Sequence, residues 1–118
     1  MPHLILECSQ DIHAHIDFKA LFRIFHELLA EQLPTQITNC KSRVIVFDQT
    51  YAGSQCASYT HLHLTIKIMP GRAAALKQTI TQQILRLLDE TIKKLAVKHA
   101  TISVEMIDLA DNYVKLNG

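Results

Sequence analysis

The sequence predicts an α/β fold in which a duplicated β-α-β unit forms a four-stranded mixed sheet with two helices on one face. Short apolar runs alternate with two long stretches of helical periodicity, in the order strand–helix–strand twice. Residues 3–7 (HLILE) are echoed by residues 63–67 (HLTIK), and a helical stretch follows each. Right-handed crossovers make the strands within each unit parallel, and two adjacent units give a two-layer sandwich. The 118 residues therefore form one domain, with repeats at about 2–50 and 58–109.

The first unit begins with a strand at the amino terminus. Leu4, Leu6 and Cys8 share one side of this strand, because successive strand residues point to opposite faces. After a polar turn, Asp17 is a typical helix N-cap. Apolar residues at helical spacing then form a single stripe: Phe18, Leu21, Phe22, Phe25, Leu28, Leu29 and Leu33. Pro34 predicts the end of this helix.

The second and third strands flank a turn-rich connection at residues 48–58. The second strand is centred on residues 43–47, and if it begins at Lys41, then Lys41 and Arg43 share a face. In the third strand apolar and polar residues alternate. The apolar set is Leu62, Leu64, Ile66 and Ile68, and the polar set is His61, His63, Thr65 and Lys67. The apolar face should lie under the helices, so the polar face must meet solvent or another subunit.

The second helix follows a turn at residues 70–72 and is predicted to run to about His99. Its buried stripe consists of Leu76, Ile80, Ile84, Leu87, Leu88 and Leu95. A fourth strand is predicted over residues 101–109, with Ile102, Val104 and Met106 on one face. The tail at 110–118 carries Tyr113, Val114 and Leu116, which we expect to pack against a neighbouring chain.

Composition excludes several classes of function. The net charge of +1 gives no electrostatic basis for binding nucleic acid or an anionic membrane. No apolar run approaches the roughly 20 residues of a membrane span, and no signal-peptide pattern is present, so we expect a cytoplasmic protein. Hydrophobic residues make up 48% and charged residues only 19% of this small domain. This balance favours an oligomer, and we expect the bare sheet faces to meet around a threefold axis.

Neither the cysteines nor the histidines predict a metal site. The three cysteines lack the spacing of metal ligands and are expected to be small apolar residues in a reducing compartment: Cys8, Cys40 and Cys56. Two His-x-His pairs, His13 with His15 and His61 with His63, have no suitably spaced third ligand. A glycine-rich phosphate loop and a nucleophile elbow are also missing from the sequence. We therefore expect no metal and no cofactor.

Pro2 is the residue with the most distinctive chemical potential. An initiator methionine is normally removed when the next residue is as small as proline, and the new terminus would be a secondary amine. Such an α-amine titrates at about 7.7–8.0 in an ordinary setting. Because the following residues form a strand, the amine would have a fixed position in the fold. If Met1 is retained, Pro2 has no basic nitrogen.

Residues 2–9 (PHLILECS) resemble the start of the 5-carboxymethyl-2-hydroxymuconate isomerases, a family of the tautomerase superfamily. Further matches extend over most of the chain, and no insertion is needed between Pro2 and Arg72: Leu21, Phe22, Ser42, Arg43, Val44, Asp48, Tyr59, Lys67, Ile68, Gly71 and Arg72. The resemblance implies a tautomerase-like fold and a cofactor-free homotrimer that acts in homoprotocatechuate degradation, a branch of aromatic compound catabolism.

The resemblance also implies an isomerase acting on a dienol carboxylate, with Pro2 as general base and Arg72 as its catalytic partner. Cations near Pro2 would bind substrate carboxylates and would also keep the amine unprotonated. Arg43 and Lys41 are the expected substrate-binding residues. Related isomerases often have Arg-Ser-Arg where this chain has Lys41, Ser42 and Arg43. Because lysine lacks the two-pronged grip of arginine, this departure affects the identity of the substrate more than the type of reaction.

Two alternatives remain open. One is a keto–enol tautomerase for another 2-hydroxydienoate or for an arylpyruvate. The other is a non-catalytic trimeric relic that retains the fold without the activity.

Overall fold

The structure is a computed structural model that describes residues 1–54, 60–95 and 100–117. The secondary structure within these ranges comprises β1 (His3–Ser9), α1 (Gln10–His13), α2 (Phe18–Gln32), a short 3₁₀ helix (Ile37–Asn39), β2 (Lys41–Phe47), β3 (His61–Ile68), α3 (Ala74–Lys93) and β4 (Thr101–Asp108). The predicted fold class is confirmed, because the strands form a mixed four-stranded sheet with the two long helices packed on it.

The strand order across the sheet is β2-β1-β3-β4. β1 and β2 are parallel, β3 and β4 are parallel, and the central pair β1–β3 is antiparallel. In this register His3 lies opposite Lys41 on one side and Lys67 on the other. The starts of β1 and β2 and the end of β3 therefore lie together at one end of the strands. We call this side of the sheet, which is formed by strand ends, the sheet edge. This edge contains the amino terminus.

The hydrophobic core lies between one face of the sheet and the helices. The alternation predicted for β1 and β3 is observed, since every second side chain is fully buried. These core residues are Leu4, Leu6, Cys8, Leu62, Leu64, Ile66 and Ile68. On the edge strand β4, the predicted face is partly buried against the same core. The opposite face of the sheet carries no helix in the described part of the chain.

Helix α2 begins and ends as the sequence predicts. The Asp17 carboxylate accepts a hydrogen bond from the backbone N–H of Ala20 at 3.2 Å, as an N-cap does. Leu21, Phe25 and Leu29 form the buried centre of its apolar stripe. The helix ends at Gln32, shortly before the proline that predicted its end.

Helix α3 is shorter than predicted. It ends at Lys93 with a turn at residues 94–95, whereas the sequence suggested about His99, and residues 96–99 lie outside the described residues. Its buried residues follow a strict spacing of four: Ile80, Ile84, Leu88 and Ile92. Leu76, Leu87 and Leu95 are only partly buried. Leu76 lies in the first turn of the helix, Leu87 lies beside the line of buried residues, and Leu95 lies beyond the end of the helix. Ile92 was not predicted to be buried.

The connections also differ in part from the prediction. The polar turn after β1 contains α1, and Ile12 and Ile16 from this segment join the core. In the predicted turns, Gly53 and Gly71 have φ angles of 60° and 115°, which favour glycine. Two residues that the sequence singled out, Cys56 and Tyr59, lie outside the described residues. None of the helices in the described ranges is both long enough and apolar enough to cross a bilayer.

We expect Leu64→Ala to lower the free energy of unfolding by about 2–5 kcal/mol, because it leaves a cavity in a fully buried position. Urea denaturation at a fixed protein concentration measures this change. Gln78→Ala on the exposed side of α3 is the control and should change stability by less than about 0.5 kcal/mol. Equal stability of the two variants would contradict the assignment of the core.

Candidate active site

Pro2 is buried and held in place by the neighbouring strand. Its carbonyl oxygen accepts a hydrogen bond from the backbone N–H of Lys41 at 3.0 Å. This bond extends the pairing of β1 with β2 by one residue beyond His3. The nitrogen of residue 2 therefore has a defined position at the edge of the sheet.

The amino terminus lies in a positively charged setting. The pKa of the Met1 amine, one residue from the Pro2 nitrogen, is lowered from its ordinary value of 8.0. Burial is the largest cause, followed by the charges of Arg72, Lys115 and Lys41, while Cys40 acts in the opposite direction. The three cations come from three segments of the chain: the β3–α3 turn, the carboxy-terminal tail and β2. Burial and positive charge both favour a neutral amine.

Arg72 is held at the carboxyl end of α2. Its Nη2 donates to the carbonyl oxygen of Leu33 at 2.9 Å, and its Nη1 donates more weakly to that of Met69 at 3.4 Å. Such side chains satisfy the last carbonyls of a helix, which have no partner within the helix itself. A guanidinium has five N–H donors, so these two contacts leave donors for a carboxylate. The charge of Arg72 is thereby fixed near the amino terminus.

Lys41 and Arg43 lie on the bare face of β2, and both are exposed. In the register of β1 with β2, Lys41 lies opposite His3. Arg43 lies opposite Ile5, two residues further along β2 from the sheet edge. The charge of Lys41 lowers the pKa of the terminal amine, and the charge of Arg43 lowers the pKa of the His3 imidazole. The fold therefore places Lys41 with Arg72 around the amino terminus, with Arg43 beside them.

His3 connects the amino terminus to the tail. Its Nε2 lies 2.9 Å from the hydroxyl oxygen of Tyr113, and the two rings meet edge to face with centroids 5.8 Å apart. The pKa of His3 is lowered, first by burial and then by Arg43, Lys41, the terminal amine and Lys67. A neutral imidazole is therefore expected at pH 7. In β1, His3 lies on the face opposite to the buried residues Leu4 and Leu6.

The carboxy-terminal tail supplies a residue that the sequence did not suggest. The Lys115 Nζ donates to the Met1 Sδ at 3.0 Å. Tyr113, which the sequence analysis expected to pack against a neighbouring chain, contacts His3 of its own chain. Val114 and Leu116 are 88% and 92% exposed. No local pattern in the tail could reveal these contacts, since they join residues more than 100 positions apart.

A second contact missed by the sequence joins α2 to β2. The His26 Nε2 lies 2.5 Å from the Ser42 Oγ, on the helix-covered side of the strand. Burial lowers the pKa of His26, so a neutral hydrogen-bonded pair is expected. Ser42 stands between the two cationic residues of β2, so this contact helps to fix the strand that presents them.

The remaining candidate ligands form no metal site in the described ranges. His63 pairs with Ser103 at 2.6 Å through Nδ1 and approaches Glu105 at 3.6 Å through Nε2, on the bare face of the sheet. No cluster of three or more His, Cys, Asp or Glu side chains suited to a metal ion occurs among residues 1–54, 60–95 and 100–117.

Comparison with known proteins identifies relatives of this chain. A family model described as 5-carboxymethyl-2-hydroxymuconate isomerase matches residues 2–118. A 5-carboxymethyl-2-hydroxymuconate Delta-isomerase of Escherichia coli is 30% identical over 88 residues, which cover 75% of this chain and 70% of the relative.

Solved structures share the fold. A 5-carboxymethyl-2-hydroxymuconate isomerase of Deinococcus radiodurans R1 superposes with a TM-score of 0.83 at 20% identity, covering 99% of this chain and 90% of that one. A fused 4-OT described as a symmetric trimer superposes with a TM-score of 0.71 at 13% identity, covering 98% of this chain and 93% of that one. At these identities the likeness establishes the architecture alone.

Arg72→Ala should lower the free energy of unfolding by about 1 kcal/mol, because it leaves the Leu33 carbonyl without its hydrogen bond. Thermal or urea denaturation measures the change, and Arg72→Lys should restore part of it. Arg86→Ala, at an exposed arginine of α3, serves as the control. If Arg72→Ala and Arg86→Ala have the same effect, the guanidinium is not held as described.

Proposed function

Because the chain belongs to the 5-carboxymethyl-2-hydroxymuconate isomerase family and is an isomerase, we propose that it moves a double bond and a proton in 2-hydroxymuconate-type dienol carboxylates. The preferred substrate in this proposal is 5-carboxymethyl-2-hydroxymuconate itself, after which the Escherichia coli relative is named. The proposed general base is the secondary amine of Pro2 after removal of Met1.

The setting of the amino terminus is the observation that carries this proposal. A general base must be unprotonated at the working pH and must lie at a fixed position. Burial and three nearby cations lower the pKa of the terminal amine, and the Lys41 N–H holds the Pro2 carbonyl. The same features would act on the Pro2 nitrogen once Met1 is removed.

The proposed reaction needs one base and no redox step. The Pro2 nitrogen takes the proton of the 2-hydroxyl group, the oxygen becomes a carbonyl, and the double bonds shift along the chain. The Pro2 ammonium then returns the proton to a carbon further along the conjugated system. Electrons and protons balance within the substrate, so the proposal requires no cofactor.

Cations bind the substrate in this proposal. By its name the substrate carries three carboxylates: two from muconate and one from the carboxymethyl group. Arg72 takes one of them through its remaining N–H donors, and Lys41 and Arg43 provide charge on the adjacent strand. A substrate anion also counteracts the charges that lower the amine pKa, so binding makes the amine a stronger base for the first proton transfer.

The lysine at position 41 favours a second candidate substrate for the same type of reaction. At this position related isomerases often have arginine, and lysine gives no planar two-pronged grip. Another 2-hydroxydienoate is therefore the alternative substrate, and an arylpyruvate is a more distant one. The proposed physiological setting is homoprotocatechuate degradation, which follows from the family resemblance alone.

We also propose that three copies associate through the bare sheet face. This face carries partly exposed apolar side chains among its polar ones, including Ile45 at 50% and Ile107 at 41% exposure. The fused 4-OT of the same fold is a symmetric trimer, which supports this assembly.

Pro2→Ala in the trimmed protein should lower turnover of the dienol by about 100-fold or more, since the placed base is replaced by a primary amine of different geometry. Ultraviolet absorbance of the conjugated substrate measures the rate, and intact mass verifies the loss of Met1. Protein that retains Met1 is the matched control and should be inert. Unchanged turnover in Pro2→Ala would eliminate Pro2 as the base, and an inactive trimmed wild type would favour the non-catalytic relic.

The pH dependence tests the same proposal. Because a base works only when it is neutral, kcat/KM should fall as the pH drops through the pKa of the free amine. Burial and the same cations, which lower the pKa of the Met1 amine, should place this acidic limb below 8.0, the ordinary value for a terminal amine. Steady-state kinetics across pH 5–9 locate the limb, and a limb at or above the ordinary value would contradict the proposed electrostatic setting.

Ile45→Asp should break the trimer, because it buries an unpaired charge in the proposed interface. Size-exclusion chromatography with light scattering measures the mass. Ile24→Asp, at a similarly exposed position on α2, is the control and should remain trimeric. A trimeric Ile45→Asp variant would exclude this face as the interface.

A further inference from the structure

We infer that the carboxy-terminal segment at residues 113–115 completes the active site, with Tyr113 positioning Lys115 and the Lys115 ammonium binding a carboxylate of the substrate. This inference rests on the proposed function, since it assigns a further residue to the same site. The contacts of both residues with the amino terminus are its structural basis.

The path of the chain brings the tail to the amino terminus. β4 ends at the sheet edge where β1 begins, and the Leu109 N–H donates to the carbonyl of Ile68 at 2.7 Å. A turn follows, in which the Tyr113 N–H donates to the Ala110 carbonyl at 2.9 Å. The tail then reaches β1, where the Tyr113 hydroxyl meets His3. The turn and the Tyr113–His3 pair together hold residue 113.

Alternate residues of the tail have different surroundings. Tyr113 and Lys115 contact the first residues of the chain, whereas Val114 and Leu116 are almost fully exposed. An extended segment presents successive side chains on opposite sides, so this alternation is expected if one side faces the terminus. The tail is therefore held by polar contacts at residues 113 and 115 and not by burial of its apolar side chains.

The partner of Lys115 changes when Met1 is removed. In the full chain its ammonium contacts the thioether of Met1 at 3.0 Å, and a thioether is a weak acceptor. In the trimmed chain this sulfur is lost, and the ammonium donors become available to a substrate oxygen beside Pro2. Lys115 is also one of the three cations that act on the terminal amine, so it already lies close to the proposed base.

The charge of the substrate fits such a residue. The proposed substrate has three carboxylates, and cations reach the terminus from three segments: Arg72 from the β3–α3 turn, Lys41 from β2 and Lys115 from the tail. Each carboxylate can thereby meet a cation from a different segment. Among the described residues, the groups near the amine are these three cations, the thiol of Cys40 and the imidazole of His3, whose pKa the amine lowers.

The test uses trimmed protein and three variants: Lys115→Met, Lys115→Arg and Tyr113→Phe. Calorimetry with adipate, a saturated dicarboxylate, measures anion binding without any turnover, and steady-state kinetics measure KM and the acidic limb of kcat/KM. Lys115→Met should weaken adipate binding and raise KM about tenfold, as expected for loss of a charge-assisted hydrogen bond. It should also move the acidic limb to higher pH, because a cation near the base is lost.

The other variants separate charge from position. Lys115→Arg keeps the positive charge, so the acidic limb of its kcat/KM profile should lie near that of the wild type. Tyr113→Phe should shift KM and the acidic limb in the same direction as Lys115→Met, but by less. The control is Lys19→Met, an exposed lysine at the start of α2 and at the opposite end of the sheet, which should change neither quantity.

The outcomes distinguish this inference from the proposed function. If trimmed wild type does not turn over the dienol but Lys115→Met still weakens adipate binding, the isomerase substrate is wrong and the anion site stands. If trimmed wild type is active and Lys115→Met has the same adipate affinity, the same KM and the same acidic limb of kcat/KM, the proposed role of Lys115 in binding the substrate is overturned. If Tyr113→Phe matches wild type in all three, Tyr113 does not position Lys115.

Discussion

The hydrogen bond from the Lys41 N–H to the Pro2 carbonyl is the interaction on which the site depends. Chain termini are usually poorly ordered unless a sheet or helix holds them. Here the pairing of β1 with β2 continues to residue 2, so a nitrogen at the start of the chain acquires a fixed position. Without that bond, the cations around the terminus would have no defined group to act on.

The topology gathers these cations from distant parts of the sequence. Because β1 and β2 are parallel and β3 runs antiparallel to β1, the starts of the first two strands and the end of the third meet at one edge. The end of α2 also lies there, where Arg72 bonds to the Leu33 carbonyl. Since β4 is parallel to β3, it ends at the same edge and delivers the tail. Two repeated β-α-β units thus place four segments around one amino terminus.

The same arrangement links stability to the site. Arg72 satisfies a carbonyl at the end of α2 and also adds positive charge near the amine. His26 bonds to Ser42 between the two cationic residues of β2. Both contacts tie the helical layer to the charged edge of the sheet. Packing of the core therefore fixes the electrostatic setting that the proposed base requires.

Local features of the fold could be predicted from the sequence, and contacts between distant segments could not. Alternation in β3, the Asp17 N-cap and the stripe of α2 depend on residues within one element, so their patterns are readable. The end of α3 was misplaced because residues that favour a helix continue past Lys93 in the sequence, with no proline or glycine to mark the end.

The same distinction holds for the candidate site. Pro2 was singled out by the amine that removal of Met1 would expose, whereas the roles proposed for Arg72, Lys41 and Arg43 came from a resemblance. No pattern indicated that Arg72 bonds to a backbone carbonyl of α2. Lys115 gave no signal, since its role depends on the path of the tail over the edge of the sheet.

The most direct test of the central claim is a ¹⁵N NMR titration of the Pro2 nitrogen in the trimmed protein. If burial and the surrounding cations keep this amine neutral, its titration midpoint will lie clearly below the range of about 7.7–8.0 found for ordinary α-amines. A midpoint within or above that range would contradict the account, because the amine would then carry a proton when the base is needed.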